Sequence, residues 1–244
     1  MDGPHATRSA RDTTSPSSRR SSRWWTGWTS EEGASDRRRM TTNDAMTNPN
    51  DMNPVLVEDC ELAPCIGLVE LSSVARGVEV ADAILWQGAV EMVFSTPVQP
   101  GKYVSLFTGS VQDVAAALDR AAEVARCDLV DRLHIQQVHP QVLRGLRRRG
   151  GRIDGELDAI GVIETATVAS AIQAADVALK TATVDLFDLR IANGLGGKSF
   201  LSVTGEVSDV RSAIQAGAKK ASGCGHLERE VVIPRPHPDL VRHL

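Results

Sequence analysis

A tandem repeat is the feature that most restricts how this chain of 244 residues can fold. The segment 66–70 (IGLVE) recurs at 160–164 (IGVIE), 94 positions further along the chain. Beyond the middle of each copy the spacing becomes 96, which pairs Lys102 with Lys198. Self-similarity at a fixed spacing indicates one structural unit used twice. We therefore predict two related domains, repeat 1 and repeat 2, with two residues inserted in repeat 2 between Val184 and Lys198.

Apolar periodicity predicts the same order of elements in both repeats: strand, helix, two strands, helix, strand. The predicted helices carry the apolar stripes 74–85, 114–125, 168–179 and 210–221. The predicted strands are 66–71, 91–95, 103–107 and 133–138 in repeat 1, and 160–164, 184–190, 200–203 and 230–233 in repeat 2. Aromatic residues make up only 4% of the chain, so Ala-rich helices must pack closely on each sheet. The predicted class is α+β, with two tandem ferredoxin-like βαββαβ domains.

Composition divides the chain into four parts. Residues 1–55 are rich in Arg, Ser, Thr, Asp and Asn and have little apolar periodicity, which predicts a disordered tail. Residues 56–146 form the first domain, the more divergent copy. A linker that contains Arg and Gly, 147–157, leads to the second domain at 158–244.

Charge and hydropathy argue against two classes of partner. The formal net charge of −4 lacks the basic excess that a nucleic-acid backbone or an anionic membrane requires. No apolar run approaches the ~20 residues that cross a bilayer. The first thirty residues also lack the apolar block of a signal peptide. We expect a cytoplasmic protein that binds neither nucleic acid nor membrane.

The four cysteines do not follow the spacing of a zinc, thioredoxin-like or disulfide site. They are Cys60, Cys65, Cys127 and Cys224. Cys224 and His226 are two positions apart, a spacing we attribute to a small thiol beside a loop histidine. We therefore expect reduced thiols, no metal site and no cofactor.

The segment 192–199 (ANGLGGKS) fits the relaxed pattern of a phosphate-binding loop. A working loop of that kind opens a helix whose N-terminal amides face the phosphate. Here residues 200–204 alternate as in a strand, and repeat 1 has 97–102 (PVQPGK) at the same place. The glycines therefore predict a hairpin tip with positive φ angles rather than a nucleotide site.

No set of catalytic residues recurs in both repeats. Glu70 and Glu164 end the first strand of each repeat, and Asp82 and Asp176 lie in the first helix of each. No histidine or second carboxylate is placed beside them in both copies, so a general acid and base pair is not indicated. Duplicated acids of this kind are more typical of caps and interface pairs. We predict a non-enzymatic protein without catalytic residues.

Four segments of repeat 2 together resemble a known family: 159–165, 174–180, 204–207 and 232–237. Repeat 2, over nearly all of 159–238, is similar to the bacterial microcompartment shell domain, and repeat 1, from about 65 to 140, is a more divergent version. The resemblance implies a homotrimer whose six domains form a pseudohexameric disc. It also implies that the discs tile with hexameric and pentameric shell proteins into the wall of a cytoplasmic microcompartment.

The resemblance further implies a central pore for small metabolites, lined by the tips between the second and third strands. These tips contain Val98, Gln99, Pro100 and Gly101 in repeat 1, and Gly194, Leu195, Gly196 and Gly197 in repeat 2. Neither tip has a carboxylate, and Lys102 and Lys198 follow directly, so we expect a neutral to mildly positive opening. Neither tip has the cysteine with which some tandem shell proteins hold an iron–sulfur cluster, so none is expected.

Members of this family join neighbouring discs through a lysine and a Pro-Arg-Pro-His turn, here Lys180 with Arg235 and His237. Repeat 1 has Trp86 in place of the lysine and a turn that contains His139. The resemblance therefore implies two alternating kinds of tile edge.

Two other functions remain open at this point. A tandem small-molecule-binding regulatory protein with ferredoxin-like domains would have a pocket between its domains and would not assemble in two dimensions. A P-loop enzyme would turn over nucleotides.

Overall fold

The computed structural model describes residues 65–147, 157–192, 194–241 and 243. The predicted tail, 1–55, and most of the predicted linker lie outside these residues. Repeat 1 contains β1 (Ile66–Leu71), α1 (Val74–Gln87), β2 (Val90–Val98), β3 (Lys102–Gly109), α2 (Val111–Ala125), β4 (Leu129–Ile135) and a short helix α3 (Pro140–Arg147). Repeat 2 contains β5 (Ala159–Thr165), α4 (Val168–Thr181), β6 (Asp185–Ile191), β7 (Ser199–Gly205), α5 (Val207–Gly223), β8 (Leu227–Pro234) and α6 (Pro238–Val241). The predicted α+β class and βαββαβ order are confirmed.

Each repeat forms one antiparallel sheet of four strands. The strand orders are β2-β3-β1-β4 and β6-β7-β5-β8. All six residues of β1 are buried, because this strand lies between two others and is covered on both faces. Within the sheets, Glu70 is opposite Asp131 of β4, and Glu164 is opposite Arg229 of β8. Asp131 and Arg229 are therefore structurally equivalent.

The strand register locates the insertion that distinguishes the repeats. Pro97 pairs with Tyr103, and Ile191 pairs with Ser199. The spacing between equivalent residues therefore changes from 94 to 96 inside the tip between β6 and β7. The longer tip belongs to repeat 2, while the strands on either side of the tip have the same register in both repeats.

A second change of spacing corrects the alignment inferred from the sequence. Asp131 and Arg229 are 98 positions apart, so two more residues are inserted between α5 and β8. The cause is a longer α5 followed by a turn in which Gly225 has a φ of 76°. His139 is therefore equivalent to His237, and not to Arg235 as the constant spacing of 96 predicts. The predicted strand at 133–138 is likewise misplaced, since β4 spans Leu129–Ile135.

Small residues bring the helices close to the sheets, as the low aromatic content predicts. A Cβ atom at Gly67 would lie 2.9 Å from Val114 Cγ1, and one at Gly161 would lie 2.4 Å from Ile214 Cγ1. Both glycines are in the first strand of their repeat, under the second helix. Their missing side chains set the distance between helix and sheet.

Helix α3 was not predicted, because its residues adjoin the Arg-rich linker and carry a short apolar stripe. It belongs to the sequence of repeat 1 but packs on repeat 2. The Gln141 side chain donates to Val184 O at 3.3 Å and accepts from Leu186 N at 2.6 Å. The Nδ1 atom of His139 accepts from Gln141 N, and the equivalent His237 accepts from Asp239 N at the start of α6. The two histidines thus cap equivalent short helices.

Candidate functional site

A buried ion pair of repeat 1 lies where the two repeats meet. Lys102 Nζ is 2.9 Å from Glu70 Oε1, and the Glu70 side chain is fully buried. The other carboxylate oxygen accepts from Val168 N, the first amide of α4, at 2.8 Å. Lys102 also donates to Ala166 O at 3.2 Å and to Gly197 O at 3.3 Å. Burial raises the pKa of Glu70, although the bonds from Lys102 and Val168 N–H oppose that rise.

A second acid of repeat 1 binds the same end of α4. Asp131 Oδ2 accepts from Thr167 Oγ1 at 2.6 Å and from Ser170 Oγ at 3.2 Å. Thr167 is the N-cap of α4, so Asp131 holds the hydroxyl that caps the helix. Together Glu70 and Asp131 place acceptors at the positive end of α4. Glu70 thus has the interface role that its duplication indicated.

Asp176 joins two of the predicted tile-edge residues. Its Oδ1 accepts from His139 N at 2.8 Å, and its Oδ2 is 2.6 Å from Lys180 Nζ. Lys180 also donates to Gln137 O of repeat 1. Burial lowers the pKa of His139, and the charge of Asp176 opposes that shift. Sequence reasoning noted that Asp176 recurs but missed this role, which depends on a contact between repeats.

The other predicted edge residues lie apart from this cluster. Trp86 is exposed near the end of α1. Arg235 has a φ of 48°, and its backbone amide donates to Asp158 O at 2.8 Å. His237 is exposed beside Asp239. None of the contacts among the described residues joins these three side chains to Lys180.

The two predicted pore tips lie side by side. A Cβ atom at Gly197 would be 2.9 Å from Pro100 Cδ, so the tips of the two repeats are in contact. The tip of repeat 1 closes through Gly101 N donating to Val98 O at 2.9 Å. In the other tip Gly194, Gly196 and Gly197 all have positive φ angles. The predicted glycine conformation is confirmed.

The phosphate-loop pattern does not form a phosphate-loop structure. Strand β7 begins at Ser199, directly after the lysine of the pattern. The Ser199 hydroxyl accepts from Ala192 N at 3.2 Å across the base of the tip. Because a strand, and not a helix, follows the lysine, helix amides are not directed at an anion there. The arrangement is a glycine hairpin.

Both lysines behind the tips are paired with carboxylates. Lys198 Nζ is 3.1 Å from Glu164 and 3.2 Å from Glu228, and these two acids raise the pKa of Lys198. Lys102 is bonded to Glu70 as described above. The positive charge that the sequence placed behind the tips is therefore offset by neighbouring acids.

Equivalent surfaces of the two repeats differ in exposure. The apolar face of α4 packs against β4 of repeat 1, and Ile172 on that face is 0% exposed. On α1 the equivalent Val78 is 56% exposed, and Val74 and Leu85 are exposed as well. Leu133 of β4 is 2% exposed, whereas its equivalent on β8, Val231, is 42% exposed. Repeat 1 therefore uses β4 to cover α4, while α1 and β8 have no such partner within the described part of the chain.

The described residues offer few other functional features. A groove of about 630 Å³ runs between α2, β4 and α4. Apolar and polar residues line it, and the polar ones include Arg132, His134 and Lys180. Within residues 65–147, 157–192, 194–241 and 243, no cluster of three metal-binding side chains is found. Over the same residues, no helix combines the length and the apolar character needed to span a bilayer.

Comparison with known proteins gives a consistent result. The BMC domain model matches residues 65–139 and 159–236. The chain is 36% identical to the bacterial microcompartment shell protein PduT of Citrobacter freundii, over 75% of this chain and 98% of that protein. It is 30% identical to the carboxysome assembly protein CcmO of Synechocystis sp., over 72% of this chain and 62% of that protein.

A solved structure shows the same similarity. The crystal structure of a microcompartment protein from Desulfitobacterium hafniense superposes with a TM-score of 0.63 and 43% sequence identity, covering 73% of this chain and 98% of that one. Because the similarity extends over both repeats, we retain neither the regulatory-protein nor the P-loop alternative. The chain belongs to the BMC-domain family, as a structural tandem-domain shell protein of bacterial microcompartments rather than an enzyme.

Proposed function

We propose that three copies of this chain close into a ring of six domains. The difference in exposure between equivalent surfaces carries the proposal. Inside one chain, β4 covers α4, and the same kind of contact is available between β8 of one copy and α1 of the next. A head-to-tail contact of this kind makes a closed ring or an open filament. A ring of three copies leaves no α1 face uncovered.

In such a ring the six tips face a common axis. Contact between Gly197 and Pro100 inside one chain supports this arrangement, because neighbouring domains would place neighbouring tips together. Backbone amides and carbonyls, with the side chains of Gln99 and Leu195, would line the opening. Since both nearby lysines are paired with acids, the opening would be close to neutral and pass small polar metabolites.

The outer rim would tile with other shell proteins, including hexamers and pentamers. Lys180 and His139, which Asp176 joins within one chain, would form one kind of edge. Trp86 of one copy, with Arg235 and His237 of the next, would form the other. The unlike chemistry of the exposed Trp86 and the half-exposed Lys180 supports an alternating rim. An alternating rim orients each disc relative to its neighbours.

Interface variants test the ring. Val78→Asp and Val231→Asp each place a carboxylate in the proposed contact, and both positions are exposed in the single chain, so the fold should survive. Sedimentation velocity should show three-chain particles for the unmodified protein and single chains for both variants. Val111→Asp is the matched control, since Val111 is similarly exposed but lies in the first turn of α2. Three-chain particles in either interface variant would contradict the proposed contact.

A further inference from the structure

Lys102 and Glu70 form a contact with repeat 2. Every residue in that contact has an equivalent in the other repeat, and the equivalents of its two sides lie apart from one another within the chain. Within the chain, Glu70 accepts from Val168 N, and Lys102 donates to Ala166 O and Gly197 O. This group of atoms ties the N-terminus of α4 and the tip of repeat 2 to repeat 1. We call it the junction clamp.

Each partner in the junction clamp has an equivalent. Glu164 and Lys198 correspond to Glu70 and Lys102, and they are 3.1 Å apart. The equivalents of the three groups that they would bind are Val74 N, Ser72 O and Gly101 O. Ser72, Val74 and Gly101 are all exposed in the single chain. One half of a second clamp thus lies in repeat 2, and the other half lies in repeat 1.

Charges at these two surfaces are complementary. Lys198 is flanked by two carboxylates, Glu164 and Glu228, which leaves net negative charge to face the positive N-terminus of α1. Where repeat 1 has Asp131, repeat 2 has the cationic Arg229. The start of α1 matches this reversal at Asp128, the equivalent of His226. Within the chain His226 Nε2 lies 3.7 Å from Asp131 Oδ2, and the equivalent pair, Asp128 and Arg229, has the opposite signs.

We propose that Lys198 and Glu164 of one copy clamp the start of α1 and the repeat 1 tip of the next copy. Glu164 accepts from Val74 N, and Lys198 donates to Ser72 O and Gly101 O. This clamp rests on the proposed ring and adds a consequence to it. The tip at 194–197 is held within its own chain, whereas the tip at 98–101 is held by its neighbour. Assembly therefore positions the three repeat 1 tips, which are half of the six tips around the proposed pore.

Lys198→Met tests the clamp, because it removes the donor and keeps a side chain of similar length. Lys219→Met is the matched control, since Lys219 is an exposed lysine on α5. Mass photometry over a dilution series should give a trimer midpoint concentration at least tenfold higher for Lys198→Met. The midpoint for Lys219→Met should equal that of the unmodified protein, and Lys198→Arg, which keeps a donor, should recover part of the loss.

Hydrogen exchange gives a second readout at concentrations where Lys198→Met still assembles. Amides of Gln99 and of residues 101–103 should exchange faster in the variant trimer than in the unmodified trimer, while amides of 194–199 should not change. If Lys198→Met and Lys219→Met assemble alike and exchange alike, the clamp is wrong and the ring stands. If the unmodified protein never forms a three-chain particle, the ring itself is wrong.

Discussion

Replacing Lys102 by Met should destabilise the chain itself, because Lys102 is the cationic partner of the buried Glu70. Breaking a buried ion pair on one side costs about 3 to 5 kcal/mol. Lys102 is half-buried and Glu70 keeps its bond from Val168 N–H, so we expect the lower end, about 3 kcal/mol. In a folded unit of this size, each kcal/mol lowers the midpoint of thermal unfolding by roughly 2 to 4 °C. The expected loss is therefore about 6 to 12 °C at pH 8.

The loss should grow with pH. Burial already raises the pKa of Glu70 above its ordinary value of 4.5, and the Lys102 charge opposes that rise. Without Lys102 the folded-state pKa of Glu70 rises further, while the unfolded value does not change. A carboxyl group with a raised folded-state pKa stabilises the fold below its ordinary pKa, and this contribution is lost as pH rises through the folded-state value. The Lys102→Met variant should therefore approach the unmodified protein near pH 4.5 and diverge from it above.

Thermal unfolding followed by circular dichroism, at one protein concentration and at several pH values, measures both effects. The double variant Glu70→Gln with Lys102→Met removes the buried charge. Its new side-chain amide oxygen can still accept from Val168 N, so most of the stability should return without pH dependence. Equal midpoints for Lys102→Met and the unmodified protein at pH 8 would refute the account of the buried pair. So would a loss that does not vary with pH.

Three further substitutions give testable expectations. Gly161→Ala should lower the free energy of unfolding by about 1 to 3 kcal/mol, because the new Cβ would lie 2.4 Å from Ile214 Cγ1. Chemical denaturation measures this free energy. An unchanged value would show that the helix can move away from the sheet. Lys180→Ala should leave trimers but abolish two-dimensional sheets in electron micrographs, and sheets that persist, or trimers that dissociate, would count against the assigned edge. Gly196→Asp should slow the passage of a small anion relative to a neutral solute in shell permeability assays, because three carboxylates would face the axis. Asp tolerates the φ of 61° at this position. An unchanged ratio of anion to neutral-solute permeability would contradict the pore assignment.

The order of elements could be predicted from the sequence because apolar periodicity is local and occurs twice. The apolar stripe from Val74 to Leu85 matches the one from Val168 to Leu179, and this match predicted the first helix of each repeat. Positive φ angles at Gly194, Gly196 and Gly197 were also predictable, since a run of glycines between two strands is typical of a tight turn with left-handed backbone.

What the sequence could not supply depends on contacts between the repeats. Asp131 accepts from Thr167 of repeat 2, and Asp176 accepts from His139 N of repeat 1. The local sequence around these two acids does not indicate either contact. The second insertion was missed because residues 222–226 have no apolar anchor to align. The equivalence of His139 and His237 was lost with it, although both residues cap short helices in the same way.

Lys102 and Lys198 illustrate the same limit. They are identical residues at equivalent positions, yet Lys102 is bonded across the junction between repeats, while Lys198 is exposed and bonded to two acids of its own repeat. Their environments differ because only Lys102 lies on a surface that faces the other repeat of the same chain. A repeat alignment compares residues and cannot show which of two equivalent surfaces faces the other repeat.

Electron microscopy of the purified full-length chain, combined with native mass measurement, tests the central claim most directly. The account predicts a disc with six lobes, an axial opening and a mass three times the 26.2 kDa of one chain. Particles of one or two chains without a central opening, at every concentration and salt condition tested, would contradict it.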